Sequence, residues 1–329
     1  MSARAAIFGP EGPAVTDWEK GFFREFDPWG FIVFARNIED PEQLRRLTGG
    51  LRDAVGRQAP ILIDQEGGRV QRMRAPHWRE YLPALDQMER ARDPMRAMWL
   101  RNRLIGAELH DVGIDVNCAP LADLVEDATH PVLRNRLYGA DVETVVEAAR
   151  CVAEAHLASG VLPVLKHIPG YGRASVDGHL DLPRVVASRG ELEARDFAPF
   201  RALADMALGM TAHVVYEAID RERPATTSAA MVRVIREEIG FEGLLMTDDI
   251  GMEALSGSMA ERAAASLSAG CDIVLHCNGK PDEMVAVAAE VPHLDGRAQE
   301  RAAAALAQRR SPAPIDIQAL ADEFETLLA

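Results

Sequence analysis

The segment 64–72, which reads DQEGGRVQR, combines two acids, two adjacent glycines and two arginines directly after an apolar run. The carboxylate of Asp64 could accept hydrogen bonds from two neighbouring sugar hydroxyls. The planar guanidinium of Arg72 could donate two parallel hydrogen bonds to a carboxylate, hydroxyl or acetamido oxygen. Adjacent glycines let a backbone approach a ligand closely. The composition of the segment is equally compatible with a turn whose charges pair with one another.

A second polar segment begins at Lys166 and His167, reads KHIPGYG, and is followed by the triplet Asp177-Gly178-His179. Its glycines and proline predict a loop. A carboxylate two residues from an imidazole can hydrogen-bond to it, orient the ring and favour the imidazolium form. Such a pair can serve first as general acid and then as general base. On its own, an Asp-x-His pair is more often an ordinary surface hydrogen bond.

Two adjacent acids, Asp248 and Asp249, follow the apolar run 243–247. Neighbouring side chains at the end of a strand point in different directions, so one carboxylate could enter a pocket while the other supports it. Aspartate also favours the N-cap of a following helix, and this alternative suits Asp249. His213 and His276 follow two further apolar runs and could line a pocket floor, but core histidines with satisfied hydrogen bonds are slightly favoured.

Short apolar runs precede these polar residues and predict the strands of a sheet. They lie at 5–8, 30–34, 60–63, 114–117, 161–165, 208–211, 243–247 and 272–275. Most are rich in Val, Ile and Leu without alternation, which is typical of parallel strands buried on both faces. Amphipathic helices lie between them, most clearly after Asp40-Pro41 and over 142–159. Eight such units favour an α/β fold with a single (β/α)8 TIM-like barrel over an open doubly wound sheet, with an irregular, displaced or antiparallel strand expected only at the first position.

The carboxyl ends of barrel strands share one face, where enzymes of this architecture place their active sites. Asp64, Lys166 and Asp248 each follow or end an apolar run, so we expect them to converge there. Arg136, in the loop segment NRLYG, could also reach a ligand, although a lone loop arginine is usually a surface residue. The four cysteines show no zinc-binding spacing, and no metal or cofactor motif is present in the sequence.

The composition is that of a globular protein: 48% of the 329 residues are hydrophobic and 26% are charged. A formal net charge of −15 disfavours nucleic acid and anionic membranes as general partners, because the overall field repels phosphate. No apolar run approaches membrane-spanning length, and the amino terminus lacks the apolar core of a signal peptide. We therefore expect the protein to be cytoplasmic. We also expect a monomer with one catalytic barrel over residues 1–329 and no second domain.

Together these segments resemble glycoside hydrolase family 3, and within it the compact bacterial β-N-acetylglucosaminidases of peptidoglycan recycling. The resemblance covers nearly the whole chain and also includes FARNI at 34–38, TAHVVY at 211–216 and PAT at 224–226. It implies a nucleophile at Asp248 and an acid/base at His179 that is assisted by Asp177. The sugar-binding residues that it implies are Asp64, Arg72, Arg136, Lys166 and His167.

The resemblance further implies hydrolysis with retention of configuration, releasing terminal β-linked N-acetylglucosamine from 1,6-anhydro-N-acetylmuramic acid, with or without an attached peptide, and with no cofactor. A phosphorylase or another β-glycosidase of the family is the nearest alternative. A metal-dependent barrel hydrolase and a non-catalytic sugar-binding barrel are more distant ones.

The sequence departs from the family pattern at a few positions. Tyr171 stands where the family usually has His, and Gly178 where it usually has Ser. Near Arg136, Arg134 and Leu137 replace the usual small glycine and serine neighbours. These departures bear on loop motion and on contacts with the leaving-group sugar rather than on the chemistry itself.

Overall fold

The structure is a computed structural model that describes residues 2–174 and 182–329. Two of the predicted catalytic residues, Asp177 and His179, lie outside the described residues. Their roles therefore stay predictions from the sequence.

The strands of the described chain are short and, within the barrel, almost entirely buried. They are β1 (Arg4–Phe8), β2 (Pro28–Val33), β3 (Ile61–Ile63), β4 (Val116–Asn117), β5 (Leu162–Pro163), β6 (Leu165–Ile168), β7 (Arg184–Val185), β8 (Leu208–Thr211), β9 (Val215–Tyr216), β10 (Leu244–Asp249) and β11 (Ile273–His276).

The main sheet is parallel and has the strand order β5-β4-β3-β2-β1-β11-β10-β8-β6. Its two edge strands, β5 and β6, are successive parts of one chain segment and are separated only by Val164. On one side this segment is bonded to β4 and the residues that follow it, since the Val164 N–H donates to the carbonyl of Asn117 at 3.0 Å and the Ala122 N–H donates to the carbonyl of Lys166 at 2.8 Å. On the other side β6 pairs in parallel with β8. The sheet is therefore nearly closed into a barrel, and the (β/α)8 prediction is confirmed.

The eight predicted apolar runs each overlap a barrel strand, with two differences in detail. β1 pairs in parallel with both β2 and β11, so it is neither displaced nor antiparallel; its pairing with β2 shifts register between Arg4 and Ile7. The run 161–165 is divided between β5, which pairs with β4, and β6, which pairs with β8. The small parallel pair β7–β9 was not predicted, since two-residue strands carry no hydrophobic pattern.

Helices surround the barrel and connect its strands. They are α1 (Asp17–Phe26), α2 (Pro41–Val55), α3 (Ala84–Arg90), α4 (Pro94–Asp111), α5 (Pro131–Arg134), α6 (Val142–Ala158), α7 (Arg189–Glu191), α8 (Ala198–Ala202), α9 (Ala229–Arg233), α10 (Met259–Ala269), α11 (Pro281–Glu290), α12 (Gly296–Leu306) and α13 (Ile317–Leu328). The segments Leu192–Asp196 and Val234–Ile239 continue α7 and α9 with wider, π-type turns.

The two helices that the sequence predicted most clearly are both present, and the first begins at its expected cap. Asp40 accepts a hydrogen bond from the Gln43 N–H at 2.8 Å, and Pro41 opens α2, where its missing N–H costs nothing. Asp141 caps α6 in the same way by accepting from the Thr144 N–H at 2.8 Å. The caps fix where each helix begins, and therefore where the loop before it must end.

The hydrophobic core fills the barrel interior and the layer between barrel and helices. Ile7, Ile32 and Leu62 are among its fully buried members, each of which stabilises the fold by about 1.5–3 kcal/mol. All four cysteines are free thiols, and Cys151 alone is only partly buried. Within residues 2–174 and 182–329, no helix combines the length and the apolar character needed to cross a bilayer.

Glu108 on α4 gives the fold a pH-dependent weakness. Burial raises the pKa of its carboxyl to about 7, although the Arg79 N–H donates to Oε1 at 3.3 Å. The folded state therefore holds this proton more tightly than the unfolded chain, and stability falls as the pH rises from about 4.5 to about 7. Glu108→Gln should be about 1–3 kcal/mol more stable than the natural chain at pH 8 and nearly equal to it at pH 4.

Urea unfolding at the two pH values measures this difference, with Glu89→Gln on the exposed face of α3 as the control. A stabilisation of Glu108→Gln that is the same at both pH values would show that the carboxyl does not titrate as described.

Candidate active site

The carboxyl ends of the barrel strands surround a cavity of about 190 Å³. Asp64 directly follows β3, Lys166 and His167 lie in β6, and Asp248 lies near the end of β10. Six predicted site residues lie in the described part of the chain, and all six line the cavity: Asp64, Arg72, Arg136, Lys166, His167 and Asp248. The structure thus brings together residues as far apart in the sequence as Asp64 and Asp248, which are separated by 184 positions.

Ion pairs connect the sugar-binding candidates in a row of alternating charge. Asp64 binds Arg72 through one carboxylate oxygen and Lys166 through the other, each at 3.0 Å. Lys166 also contacts Glu66 at 2.6 Å, and Glu66 in turn holds Arg136 with two hydrogen bonds of 2.8 and 2.9 Å. The row therefore runs Arg72, Asp64, Lys166, Glu66, Arg136, and its two acids are each shared by two cations.

The pKa values of this row reflect both burial and pairing. Burial alone would raise the pKa of Asp64, but Lys166 and Arg72 outweigh it and hold that pKa well below its usual range. Burial likewise opposes ionisation of Glu66, whose pKa nevertheless falls to about 2 because of Arg136 and Lys166. Burial would lower the pKa of Lys166, yet the two acids raise it above its ordinary value. The row is fully charged at neutral pH.

His167 is oriented by Asp123, a buried acid that the sequence analysis did not single out. One Asp123 oxygen contacts Nδ1 of His167 at 2.8 Å, and the other accepts the Tyr171 N–H at 2.6 Å. The His167 N–H also points at this carboxylate, at 3.3 Å. Because a carboxylate accepts hydrogen bonds, Nδ1 carries a proton and Nε2 is the ring nitrogen that can meet a ligand.

Asp248 lies at the end of β10, half-buried beside the cavity. Its Oδ1 accepts the Asp249 N–H at 2.8 Å. Unlike the acids of the charged row, Asp248 forms no ion pair with any lysine, arginine or histidine among residues 2–174 and 182–329. Its negative charge is therefore not compensated by a cation of the described chain.

Asp249 supports the turn after β10 and does not cap a helix. Its Oδ1 accepts the N–H of Gly251 at 2.9 Å and that of Cys277 at 3.1 Å, whereas α10 begins later and is capped by Ser258. Burial raises the pKa of Asp249. The N-cap interpretation of Asp249 is wrong, because the chain forms a turn before the next helix begins.

The two strand-end histidines are buried, as the slightly favoured interpretation expected, but Nδ1 of His276 is buried without a hydrogen-bond partner among the described residues, so the expected satisfaction holds for His213 and not fully for His276. His213 donates from Nε2 to the carbonyl of Asp249 at 2.9 Å, and its Nδ1 is 2.7 Å from the hydroxyl of Thr226. Burial lowers the pKa of His213, so its ring is neutral at neutral pH. His276 contacts Glu283 at 3.0 Å. Since His213 binds the residue after Asp248, it also fixes the backbone that presents this carboxylate.

The chain that leads into residues 175–181 is anchored on the loop after β4. A Cβ at Gly172 would lie 1.9 Å from the carbonyl oxygen of Leu124, so no side chain fits there. The Thr129 hydroxyl donates to the carbonyl of Gly172 at 2.6 Å, and the His130 N–H donates to that of Ala174 at 3.0 Å. These contacts set the position from which the predicted acid/base segment departs.

The departures from the family pattern have different locations. The ring of Tyr171 lines the cavity, with its centroid 5.5 Å from that of His167. Arg134 is exposed and donates to the carbonyl of Glu126 at 3.1 Å, while Leu137 is buried in the core. Among the described residues of the cavity wall, Tyr171 is thus the departure that can touch a ligand.

A nearly closed parallel barrel with acids, cations and an imidazole around a cavity at its carboxyl end is an architecture in which glycoside hydrolases, among other enzymes, place their active sites. The family model described as the glycosyl hydrolase family 3 N terminal domain matches residues 29–309. A β-hexosaminidase of Alkalilimnicola ehrlichii is 39% identical over 299 residues, which are 88% of this chain and 84% of that protein. A β-hexosaminidase of Neisseria meningitidis serogroup B is 35% identical over 291 residues, covering 83% and 80%.

Solved structures agree with these relatives. NagZ from Neisseria gonorrhoeae, crystallised in complex with N-trifluoroacetyl-D-glucosamine, superposes with a TM-score of 0.87 at 30% identity, covering 100% of this chain and 99% of that one. The chain belongs to glycosyl hydrolase family 3. Within that family it is a β-N-acetylhexosaminidase.

Asp123 provides a test of how the cavity is organised. In Asp123→Asn, a single carbonyl oxygen replaces the two carboxylate oxygens that accept the main-chain N–H groups of His167 and Tyr171 and the Nδ1–H of His167. The new NH2 group cannot accept any of them, so His167 should lose its orientation. We expect kcat/KM for 4-nitrophenyl N-acetyl-β-glucosaminide to fall about 10–100-fold. The matched control is Asp272→Asn, a buried acid that binds Arg236 at 2.6 Å and Arg301 at 3.1 Å away from the cavity. Asp272→Asn should lower the melting temperature without this kinetic loss, and equal kinetics in the two variants would contradict the assigned role of Asp123.

Proposed function

We propose that the protein is a retaining exo-β-N-acetylglucosaminidase in which Asp248 is the nucleophile. The observation that supports this most strongly is the contrast between the acids of the cavity. Asp64 and Glu66 are each neutralised by two cations, whereas Asp248 has no such partner among the described residues. A carboxylate that is free of strong ion pairs keeps the electron density that a nucleophile needs.

In the first step, one oxygen of Asp248 forms a bond to the anomeric carbon as the bond from that carbon to the leaving oxygen breaks. Oδ1 of Asp248 accepts the Asp249 N–H, a hydrogen bond that orients the carboxylate for attack. His179, assisted by Asp177, gives its proton to the leaving oxygen. In the second step His179 takes a proton from water, whose oxygen displaces Asp248 and releases the sugar with its original configuration.

The remaining cavity residues bind the sugar. Asp64 accepts hydrogen bonds from hydroxyl groups, while Arg72, Arg136 and Lys166 donate to hydroxyl and acetamido oxygens. Because Asp123 occupies Nδ1 of His167, the ring meets the sugar through Nε2. The cavity volume of about 190 Å³ suits a single terminal sugar, which supports the exo mode of cleavage.

The substrate that we propose is N-acetylglucosamine linked to 1,6-anhydro-N-acetylmuramic acid, with or without peptide, in peptidoglycan recycling. The muramic acid carries a carboxylate, and the cavity wall includes the cationic Arg69 and an imidazole, His130, in addition to the sugar-binding cations. The gonococcal NagZ structure contains a glucosamine derivative, which supports an amino sugar as the ligand. We further propose a cytoplasmic monomer that needs no cofactor.

Phosphorolysis is the second candidate function. Four cations, namely Arg69, Arg72, Arg136 and Lys166, line the cavity, and a histidine acid/base would not repel phosphate as a carboxylate would. Product analysis with and without inorganic phosphate separates the two reactions. A phosphorylase releases the sugar 1-phosphate, whereas a hydrolase releases the free sugar at the same rate in both conditions.

The two catalytic roles predict different dependence on the leaving group. Asp248→Asn should lower kcat at least about 1,000-fold on every substrate, because the covalent step needs the carboxylate. His179→Ala should lower kcat/KM about 100–10,000-fold on the natural disaccharide but less than about 10-fold on 4-nitrophenyl N-acetyl-β-glucosaminide, whose leaving group needs little protonation.

Steady-state kinetics of both variants on both substrates make the comparison. Equal losses of His179→Ala on the two substrates would refute the acid role, and an active Asp248→Asn would refute the nucleophile.

A further inference from the structure

We propose that Glu66 is a positioning residue that determines which N–H groups of Arg136 and Lys166 face the sugar. This inference rests on the sugar-binding roles proposed above for those two cations. Glu66 is not among the residues that line the cavity, and its side chain is only 4% exposed. It therefore acts through its neighbours and not by touching the substrate.

The contacts of Glu66 occupy one edge of Arg136. Oε2 of Glu66 accepts from Nε of Arg136 at 2.9 Å, and Oε1 accepts from Nη2 at 2.8 Å. A guanidinium has five N–H groups, so this side-on pairing leaves the edge formed by Nη1 and the second Nη2 proton. That edge is itself a fork of parallel donors, suited to a hydroxyl or acetamido oxygen. Glu66 thus selects the edge that Arg136 presents.

The same carboxylate limits the donors of Lys166. An ammonium group has three N–H donors. Asp64 accepts at 3.0 Å and Glu66 Oε1 lies 2.6 Å from Nζ, so two of the three are directed at acids. One N–H remains for a ligand, and its direction is fixed because the other two are held. Lys166 therefore behaves as a single aimed donor instead of a freely rotating point charge.

Glu66 also makes the close approach of two buried cations tolerable. Arg136 and Lys166 both contact Oε1 of Glu66, so without its charge they would face each other in a poorly solvated site. A buried cation that loses its partner is strongly destabilised and moves or takes up water. The loss of Glu66 should therefore disturb the donors of both cations at once.

A further set of contacts holds the main chain at Glu66. The guanidinium of Arg101, which is fully buried, donates to the main-chain carbonyl of Glu66 and to Oε1 of Gln87, the latter at 2.8 Å. The Glu66 N–H donates to the carbonyl of Val70 at 2.9 Å. A Cβ at Gly67 would lie 1.9 Å from Arg101, so only glycine allows this arrangement. These contacts fix the backbone of Glu66, from which its side chain reaches Arg136 and Lys166.

The test compares four variants: Glu66→Gln, Glu66→Asp, Arg136→Gln and the double variant with Glu66→Gln and Arg136→Gln. The readouts are KM and kcat for 4-nitrophenyl N-acetyl-β-glucosaminide, the inhibition constant of N-acetylglucosamine, and the melting temperature. Glu19→Gln is the matched control, because Glu19 is a buried acid that caps α1 by accepting from the N–H groups of Glu11 and Thr16 at 2.9 and 2.8 Å.

Glu66→Gln should raise KM and the inhibition constant about 10–100-fold while kcat changes less than about 5-fold, since the aimed donors bind ground state and transition state alike. Glu66→Asp keeps the charge and should lie between Glu66→Gln and the natural chain. The double variant should bind N-acetylglucosamine more weakly than Arg136→Gln alone, but by a smaller factor than Glu66→Gln weakens binding in the natural chain, because only the part of the effect that passes through Lys166 remains. Glu19→Gln should lower only the melting temperature.

Two results would overturn the inference, and they differ from each other. In the first, Arg136→Gln raises KM, but Glu66→Gln leaves KM unchanged and lowers only the melting temperature, as Glu19→Gln does. Glu66 would then have only a structural role, and the proposed sugar site would stand. If Arg136→Gln itself leaves KM and the inhibition constant unchanged, the proposed role of Arg136 fails and the role of Glu66 fails with it. Should Glu66→Gln not fold, Glu66→Asp decides, and a KM equal to that of the natural chain with a lowered melting temperature would overturn the proposal.

Discussion

The constraint on which the site depends is that charges brought together at the mouth of a barrel must be paired or kept beside water. Parallel strands deliver their carboxyl ends to one small region, and here that region receives Asp64, Lys166 and Asp248. Burial would drive each charged group towards neutrality, but alternation of acids and cations keeps the row from Arg72 to Arg136 ionised. The site can therefore be highly charged although most of its side chains are buried.

This pairing also divides the acids by chemistry. Asp64 and Glu66 are held by cations and have little basicity left, so they suit hydrogen bonding and positioning. Asp248 stands outside the row, and within residues 2–174 and 182–329 its carboxylate accepts the Asp249 N–H, while His213 binds the carbonyl of Asp249. The acid that we propose as the nucleophile is thus the one that no cation of the described residues contacts, and the difference arises from geometry rather than from residue type.

Much of this could be predicted from the sequence, because the relevant signals are local. Non-alternating apolar runs indicate parallel strands, and polar residues that follow them must lie at the same end of the sheet. The roles of Asp123 and Glu66 could not be predicted in this way. Asp123 binds His167 across 44 positions and Glu66 binds Arg136 across 70, so each pairing is set by the closed barrel and has no pattern in the chain. The turn at Asp249 was not predicted for a related reason, because its side chain accepts the N–H of Cys277, which directly follows the neighbouring strand β11.

The central claim is that Asp248 forms a covalent bond with the anomeric carbon of an amino sugar. The most direct measurement is mass spectrometry of the protein after reaction with a slow fluorinated N-acetylglucosaminyl donor, which accumulates the glycosyl-enzyme, followed by peptide mapping. The account predicts one sugar per chain, attached to Asp248. A label on another residue, or an anomer of the first-formed product with inverted configuration, would contradict it.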